Sequence, residues 1–448
     1  MSVLRELWWK SRAWIAQTWD DTKASTDAGI LGSLRFFGLL YGPIDRSLPV
    51  GGALRKMLRY RVAPHVGWRH ALGGITYLLF LMLIGTGVLM AVYYRPSVEE
   101  AYPSIQQVVS RVSFGWLIRD LHVWSANLVV LAMLAHMAQV LFDAAYKPPR
   151  ETNWVVGLML LFVILAFGAT GYLLPWDQWA YWTVTEVLMA VERLPLLGGP
   201  LAGALMGDEI TSGATLSRFF SLHVIVLPWL SLALLMYHFT LVRRRGIAPP
   251  VDEIEDEVPW RLSARIDTNE IDVRQQVGVP FFPNHLLRTL IVSMFVLAVL
   301  VSLAAWYPRP IAEVANPYAP PAELVSTWVP VDVSLALIRY VGPWGFGLFW
   351  LLGMSLALIP LFDRGSERRP AKRPVVMALG LTFFVGYSLA WMVGHNIRSV
   401  SPSESVRREV LEERTAPAPP VEPIPRVQPA DGSLPDAPST TDGGERRP

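Results

Sequence analysis

Four histidines stand inside apolar stretches that hold almost no other ionisable residue: His122 and His136 in one, His223 and His238 in another. Ionisable side chains in segments of this kind are costly to bury and mark functional sites by default. The first two are 14 residues apart and the second two 15. At about 100° per residue each pair returns to nearly the same helix face, displaced by roughly 21 Å along the axis. Each helix therefore offers one imidazole near each of its ends, and if the two helices face each other, His122 meets His223 and His136 meets His238. Two opposed neutral imidazoles with no other strong ligand nearby suit six-coordinate haem iron held axially from both sides. Zinc would ask for four tetrahedral ligands, and each pair supplies two. The competing readings are polar packing and proton-relay histidines of a transporter. Glycine favours haem: Gly73 and Gly87, then Gly157 and Gly171, repeat the 14-residue interval. Residues without a side chain let a flat ligand approach the backbone, although small residues also serve ordinary helix contact in lipid. Arg119, three residues before His122, is placed to pair with a propionate or to snorkel at the membrane interface.

The elements that carry these residues follow from apolar runs. Seven are long enough to cross a hydrocarbon core as helices, near 72–94, 121–142, 154–174, 219–242, 286–306, 344–362 and 375–394. The expected fold is thus an all-α integral membrane protein, a four-helix dihaem bundle followed by a three-helix C-terminal half. Only 17% of the 448 residues are charged, below the roughly one quarter usual in soluble domains. The chain has no cysteine, which excludes disulfides, iron–sulfur clusters and any thioether-linked haem. A net charge of +2 gives no reason to expect nucleic acid. Eleven Lys and Arg precede residue 72, and further clusters at Arg243–Arg245 and Arg364–Arg373 fall in loops on the same side. The positive-inside rule then places the N-terminus in the cytoplasm and the C-terminus outside.

Residues 1–64 show no signal-peptide pattern and read as a cytoplasmic amphipathic region that includes Leu4, Leu7, Trp8, Ile15 and Trp19. The next expected units are a dihaem domain at 65–247, a linker at 248–279 and a three-helix domain at 280–395. Residues 396–448, rich in proline and mixed charge, read as a disordered external tail. No internal repeat stands out.

With these residues in view, the sequence resembles the cytochrome b/b6 family, the membrane core of quinol–cytochrome c and plastoquinol–plastocyanin oxidoreductases. The likeness is dense over 65–247, in "YYRP", "FGWLIRDLHVWSANLVVL", "TGYLLPWDQWAYW", "ATLSRFFSLHVIVLPWL" and "RRRGI". The 15-residue interval and Leu174-Pro-Trp-Asp-Gln178 look like cytochrome b6, and 280–395 looks like the companion three-helix subunit fused to it. The resemblance implies two non-covalent b-type haems and a quinol or quinone substrate in membrane lipid. It also implies a homodimeric core with a Rieske iron–sulfur protein and a c-type cytochrome as partners. His122 and His223 would hold the haem on the positive side, His136 and His238 the one on the negative side.

Three departures bear on chemistry. Ala71 stands where cytochrome b6 carries the cysteine of an additional covalent haem. Gln139 follows His136 where the family usually has Arg, so that Arg243 or an N-terminal cation is expected to serve the propionate there. The Pro-Glu-Trp-Tyr motif of the quinol-oxidising site keeps Trp328 but has Thr327 in place of Glu. Quinol oxidation releases protons, which makes a nearby carboxylate useful; Glu323 and Asp332 are the candidates, with Glu323 expected to take the proton.

The expected function is quinol oxidation at loops 174–193 and 310–332. One electron would go to the Rieske protein and the other through the two haems to a quinone on the inner side, building proton-motive force. A dihaem anchor that serves another partner without bifurcating electrons is the alternative. The unsplit chain and the lack of a presequence point to a bacterial inner membrane.

Overall fold

The apolar runs form helices because a backbone in lipid must satisfy its N–H and C=O groups within its own segment. The computed structural model describes residues 61–63, 65–248, 279–321, 324 and 328–395. The expected amphipathic N-terminus, nearly all of the 248–279 linker and the 396–448 tail lie outside the described residues. Among the described residues, seven helical stretches are long and apolar enough to cross a membrane, as expected. The chain is an all-helical, multi-pass membrane protein.

In the first half, α1 (Leu72–Ala91) is followed by α2 (Ala101–Arg111), α3 (Gly115–Phe142) and α4 (Glu151–Leu173). Three short connecting helices come next, α5 (Gln178–Glu192), α6 (Gly198–Met206) and α7 (Gly213–Ser221), the last continuing through a π turn into α8 (Leu227–Arg245). The second half comprises α9 (Leu286–Trp306), α10 (Val329–Ser355), the single turn α11 (Ile359–Phe362) and α12 (Pro374–His395). A two-residue antiparallel ladder pairs β1 (Arg61–Val62) with β2 (Val279–Pro280). Helix α1 packs on α3 and α4 on α8, while α9 and α12 lie against α3.

Two edges differ from expectation for physical reasons. Helix α3 begins at Gly115, six residues before the expected start, because Arg119 and Asp120 are accommodated inside it as an ion pair of 3.0 Å with side chains only 10% and 5% exposed. Helix α10 begins at Val329, but Gly342 at φ +81° divides it into two arms. Pro343 lacks the N–H for a helical bond and disfavours a helical residue before it. The arm beyond the kink is the span expected from 344; the arm before it carries Asp332 and Arg339 and packs on α5.

Four indole N–H groups join the halves. Trp124 donates to Tyr307 O, Trp154 to Leu356 O, Trp182 to Asn316 O and Trp328 to Ala126 O, at 2.7 to 3.2 Å. A charge network adds to them at the His136/His238 end. Lys147 Nζ lies 2.6 Å from Asp363 Oδ1 and donates to Gly365 O at 2.8 Å. Arg373 donates to Tyr146 Oη at 2.8 Å and to Phe142 O at 3.0 Å, and Arg368 to Asp143 O at 2.7 Å. Burial opposes the Asp363 charge, but hydrogen bonds from Lys147 and Tyr146 outweigh it and hold its pKa below the ordinary 3.8. A depressed carboxylate stabilises the fold above its unfolded pKa and loses that contribution as pH falls through the folded value. Asp363→Asn is expected to cost about 3 kcal/mol, the low end for a broken buried pair, since it strands Lys147. Thermal unfolding in detergent should show this difference at neutral pH and a shrinking difference below pH 3.8.

Candidate functional site

The four histidines come together in the expected pairs. The rings of His122 on α3 and His223 in the π turn have centroids 6.3 Å apart. Two metal–imidazole bonds of about 2 Å each, with the ring bodies behind them, span about the same distance. Position Nδ1 of each ring is occupied. Thr86 Oγ1 donates to Met82 O at 2.6 Å, so its 2.9 Å contact with His122 Nδ1 has the imidazole N–H as donor. His223 Nδ1 donates to Phe167 O at 3.0 Å, with Thr170 Oγ1 at 3.3 Å. A donor at Nδ1 leaves the Nε2 lone pair for a metal and sets the ring angle, the usual outer-shell arrangement of a ligating histidine.

At the other end, His136 Nδ1 and His238 Nδ1 are buried without a hydrogen-bond partner.

Each glycine of the 14-residue pattern lies against one of these rings. A Cβ on Gly73 would meet His136 Cε1 at 3.4 Å, and one on Gly87 would meet His122 Cε1 at 3.3 Å. On Gly157 it would meet His238 Cε1 at 3.6 Å, and on Gly171 it would fall 2.5 Å from His223 Cε1. The glycines thus clear the imidazoles themselves, and α1 and α4 can pack closely on α3 and α8.

The unequal spacings of 14 and 15 also find their cause. Residues Leu222–Val226 form a π turn, and Leu227 N–H donates to Leu222 O, five residues back. Pro228 cannot donate to the residue four before it and crowds that carbonyl, so the turn widens and absorbs one extra residue. Fifteen residues therefore cover what fourteen cover on α3.

The loops expected to form the quinol site also meet. Asp177 bridges to Val314 as an isolated ladder pair, and Gln178 N donates to Glu313 O at 2.8 Å and Ala315 N to Trp176 O at 3.1 Å. Asp177 Oδ1 caps α5 through Ala180 N at 2.9 Å, and its Oδ2 accepts from Ala312 N at 3.3 Å. Burial pushes the Asp177 pKa up against these bonds. Trp328, at the N-cap of α10, lies on Gly168 of α4, where a Cβ would fall 1.9 Å from the indole. Val329 N donates to Asn127 Oδ1 of α3 at 2.9 Å. Asp332 is buried in the first turn of α10, whereas Glu323 and Thr327 lie outside the described residues.

The two candidate propionate partners differ. Arg119 is 8% exposed, which sets aside the snorkelling alternative, and it donates to the carbonyls of Arg309 and Pro310. Arg243 is exposed in the last turn of α8.

A family model described as Cytochrome b/b6/petB matches residues 57–246. The cytochrome b6 of Synechocystis sp. (strain ATCC 27184 / PCC 6803 / Kazusa) is 45% identical over 190 residues, 42% of this chain and 86% of that relative. The cytochrome b6 of Synechococcus elongatus (strain ATCC 33912 / PCC 7942 / FACHB-805) is 44% identical over 190 residues, 42% of this chain and 88% of the relative. The chain belongs to the cytochrome b/b6 family. Its fold also resembles a chain of a structure titled "Hyperthermophilic respiratory Complex III". The TM-score is 0.67 and the identity 26%, over 83% of this chain and 94% of that one. Membership of the family implies b-type haem, and the donor set fits: the His122/His223 imidazoles stand at the required separation and glycine backbones face all four rings. Among the described residues no group of three or more His, Asp or Glu is arranged to hold a metal ion.

Sequence reasoning missed Thr86, Gly168, Asn127 and the pair Glu186–Arg339. A signal existed for the first: Thr-Gly occurs at 86–87 and again at 170–171, and in both places the threonine reaches the histidine that its glycine faces. Gly171→Ala is expected to displace His223 and lower the haem content. Gly157→Ala, whose Cβ would stand at the ordinary contact distance of 3.6 Å, should have the smaller effect. Pyridine haemochrome quantification per chain measures both.

Proposed function

We propose that this chain is the dihaem cytochrome b subunit of a quinol–cytochrome c oxidoreductase. His122 and His223 hold one b-type haem, His136 and His238 a second, and neither is covalently attached. The observation that carries this reading is the opposed imidazole pair at 6.3 Å with both Nδ1 atoms already hydrogen-bonded. When bound, the haems supply one-electron transfer across the membrane. The chain's own residues do the rest. The four histidines would hold the haem irons, Gly73, Gly87, Gly157 and Gly171 clear the imidazole rings, and Arg119 and Arg243 would offset propionate charge at the two ends.

Quinol is oxidised between the 174–193 and 310–332 loops, where Trp328 shapes the site and Asp332 and Glu323 are the carboxylates of the second half. One electron leaves to a Rieske iron–sulfur protein and onward to a c-type cytochrome. The other crosses to a quinone at the His136/His238 end, and the protons released and taken up on opposite sides build proton-motive force. Residues 65–247 form the dihaem domain and 280–395 the companion domain. They are flanked by the amphipathic region 1–64, the linker 248–279 and the tail 396–448. The core is a homodimer in a bacterial inner membrane, N-terminus cytoplasmic and C-terminus periplasmic, which the clustering of basic residues supports.

The purified chain is expected to yield two extractable b haems and a reduced-minus-oxidised b spectrum, with His136→Ala retaining one haem. Absence of haem from intact protein would overturn the ligand assignment. Thr327, in place of the usual Glu, favours the anchor as a second reading. Inhibitor-sensitive quinol turnover that requires the Rieske partner separates the two, because the anchor would keep its spectrum and lack that turnover.

A further inference from the structure

The arm of α10 before the Gly342 kink meets α5 through one buried ion pair. Arg339 donates to Glu186 Oε2 at 3.0 Å, with side chains 10% and 1% exposed respectively. The second carboxylate oxygen, Glu186 Oε1, is buried with no hydrogen-bond partner. One turn earlier on the same face of α5, Thr183 Oγ1 is also buried without one. A buried carboxylate oxygen left without a donor is expensive, and it calls for a specific explanation. Both oxygens lie on one face of α5 and can accept from a ligand that brings O–H groups.

Their location narrows the ligand. Helix α5 follows directly from Leu174-Pro-Trp-Asp-Gln178, and Trp182, four residues before Glu186, is anchored to the 312–319 loop through Asn316 O at 3.2 Å. Glu186 thus lies within the 174–193 segment assigned to quinol, on a helix tied to the 312–319 loop at the His122/His223 end of the bundle. We propose that Glu186 is the proton-accepting carboxylate of the quinol-oxidising site, taking over from the position held by Thr327. The proposal rests on the quinol-oxidising reading above. In the step, both quinol O–H bonds break: one proton passes to Glu186 Oε1 and the other to water at that face of the membrane. The electrons leave to the two one-electron acceptors already named, the iron–sulfur partner and the haem at the His122/His223 end. Thr183 Oγ1 orients the second polar atom of the ring.

Burial raises the Glu186 pKa and the Arg339 guanidinium opposes the rise. Of the elements packed on α5, α6 carries no titratable residue, α4 brings Tyr172 to this end and α10 brings Arg339. A purely structural ion pair would stabilise the contact between α5 and α10 and have no influence on the pH profile.

The test is steady-state quinol turnover by the assembled complex, wild type against Glu186→Gln and Glu323→Gln, with haem content measured on each. The expected result for Glu186→Gln is full haem, a quinol KM close to wild type and kcat lower by about 100-fold, the low end for loss of a general base. The acidic limb of the wild-type pH profile should vanish with it. Glu323→Gln, at a second carboxylate of the same site, should lower turnover less than Glu186→Gln and keep the acidic limb. Turnover unchanged in Glu186→Gln but lost in Glu323→Gln overturns the proposal and leaves the functional reading standing, whereas absence of turnover in the wild type overturns both. If Glu186→Gln fails to assemble, infrared difference spectra of protein labelled at glutamate carboxylates decide. A quinol-dependent carboxylic C=O band that persists in Glu323→Gln supports Glu186, and its loss there overturns it.

Discussion

The structure depends on keeping two imidazoles on different helices opposed at a fixed separation. Helices α3 and α8 cannot satisfy that by packing on each other, because the rings of His122 and His223 stand between them with centroids 6.3 Å apart. Each helix is therefore supported from behind, α3 by α1 and α8 by α4. The supporting helix must come close without striking the ring, and glycine at the right turn is what permits it. At Gly171 the tolerance is smallest, because a Cβ there would overlap His223. The π turn obeys the same constraint: with Pro228 fixed in α8, a wider turn is the way to bring His223 and His238 onto one face.

The second half acts as a brace around that bundle. Trp154 and Trp328 enter from opposite halves, each burying a large apolar body and placing one N–H on a carbonyl across the boundary. This combination suits a membrane protein, where helix association has little hydrophobic drive and relies on packing and interhelical hydrogen bonds. The Lys147–Asp363–Arg373 network contributes register more than net energy. Buried ion pairs roughly cancel their desolvation cost, but breaking one is severe, so the loop after α3 and the loop before α12 have one favourable alignment.

The helices and the histidine pairing were legible in the sequence because both follow from short-range periodicity. An uncharged run fixes a span, and an interval of 14 or 15 residues fixes a face. What stayed hidden depends on contacts distant in sequence. Arg119 stood open between a propionate partner and an interface cation because nothing nearby in sequence shows that the Arg309 and Pro310 carbonyls, about 190 residues away, receive it. Helix α10 looked shorter because Asp332 and Arg339 interrupt the apolar run, and their partners lie on other elements. Glu186 carried no signal in the sequence, since its burial is produced by α10 closing over α5.

The two ends of the bundle are built to different standards. At the His122/His223 end both Nδ1 atoms are hydrogen-bonded, Asp177 ties the α5 cap to the 312–315 strand-like segment, and Trp176 is held at φ +52° in a left-handed conformation that costs a non-glycine residue energy. At the His136/His238 end the Nδ1 atoms lack partners, and order comes from the charge network that joins the loops. Rigid ligation, a strained turn and a buried ion pair with one free oxygen all gather at the first end. Preorganisation of this kind is useful where a substrate must be held with its leaving proton aimed at an acceptor. The distribution of hydrogen bonds along the bundle axis therefore favours the Glu186 end for the quinol oxidation proposed above, independently of the motif that Thr327 interrupts.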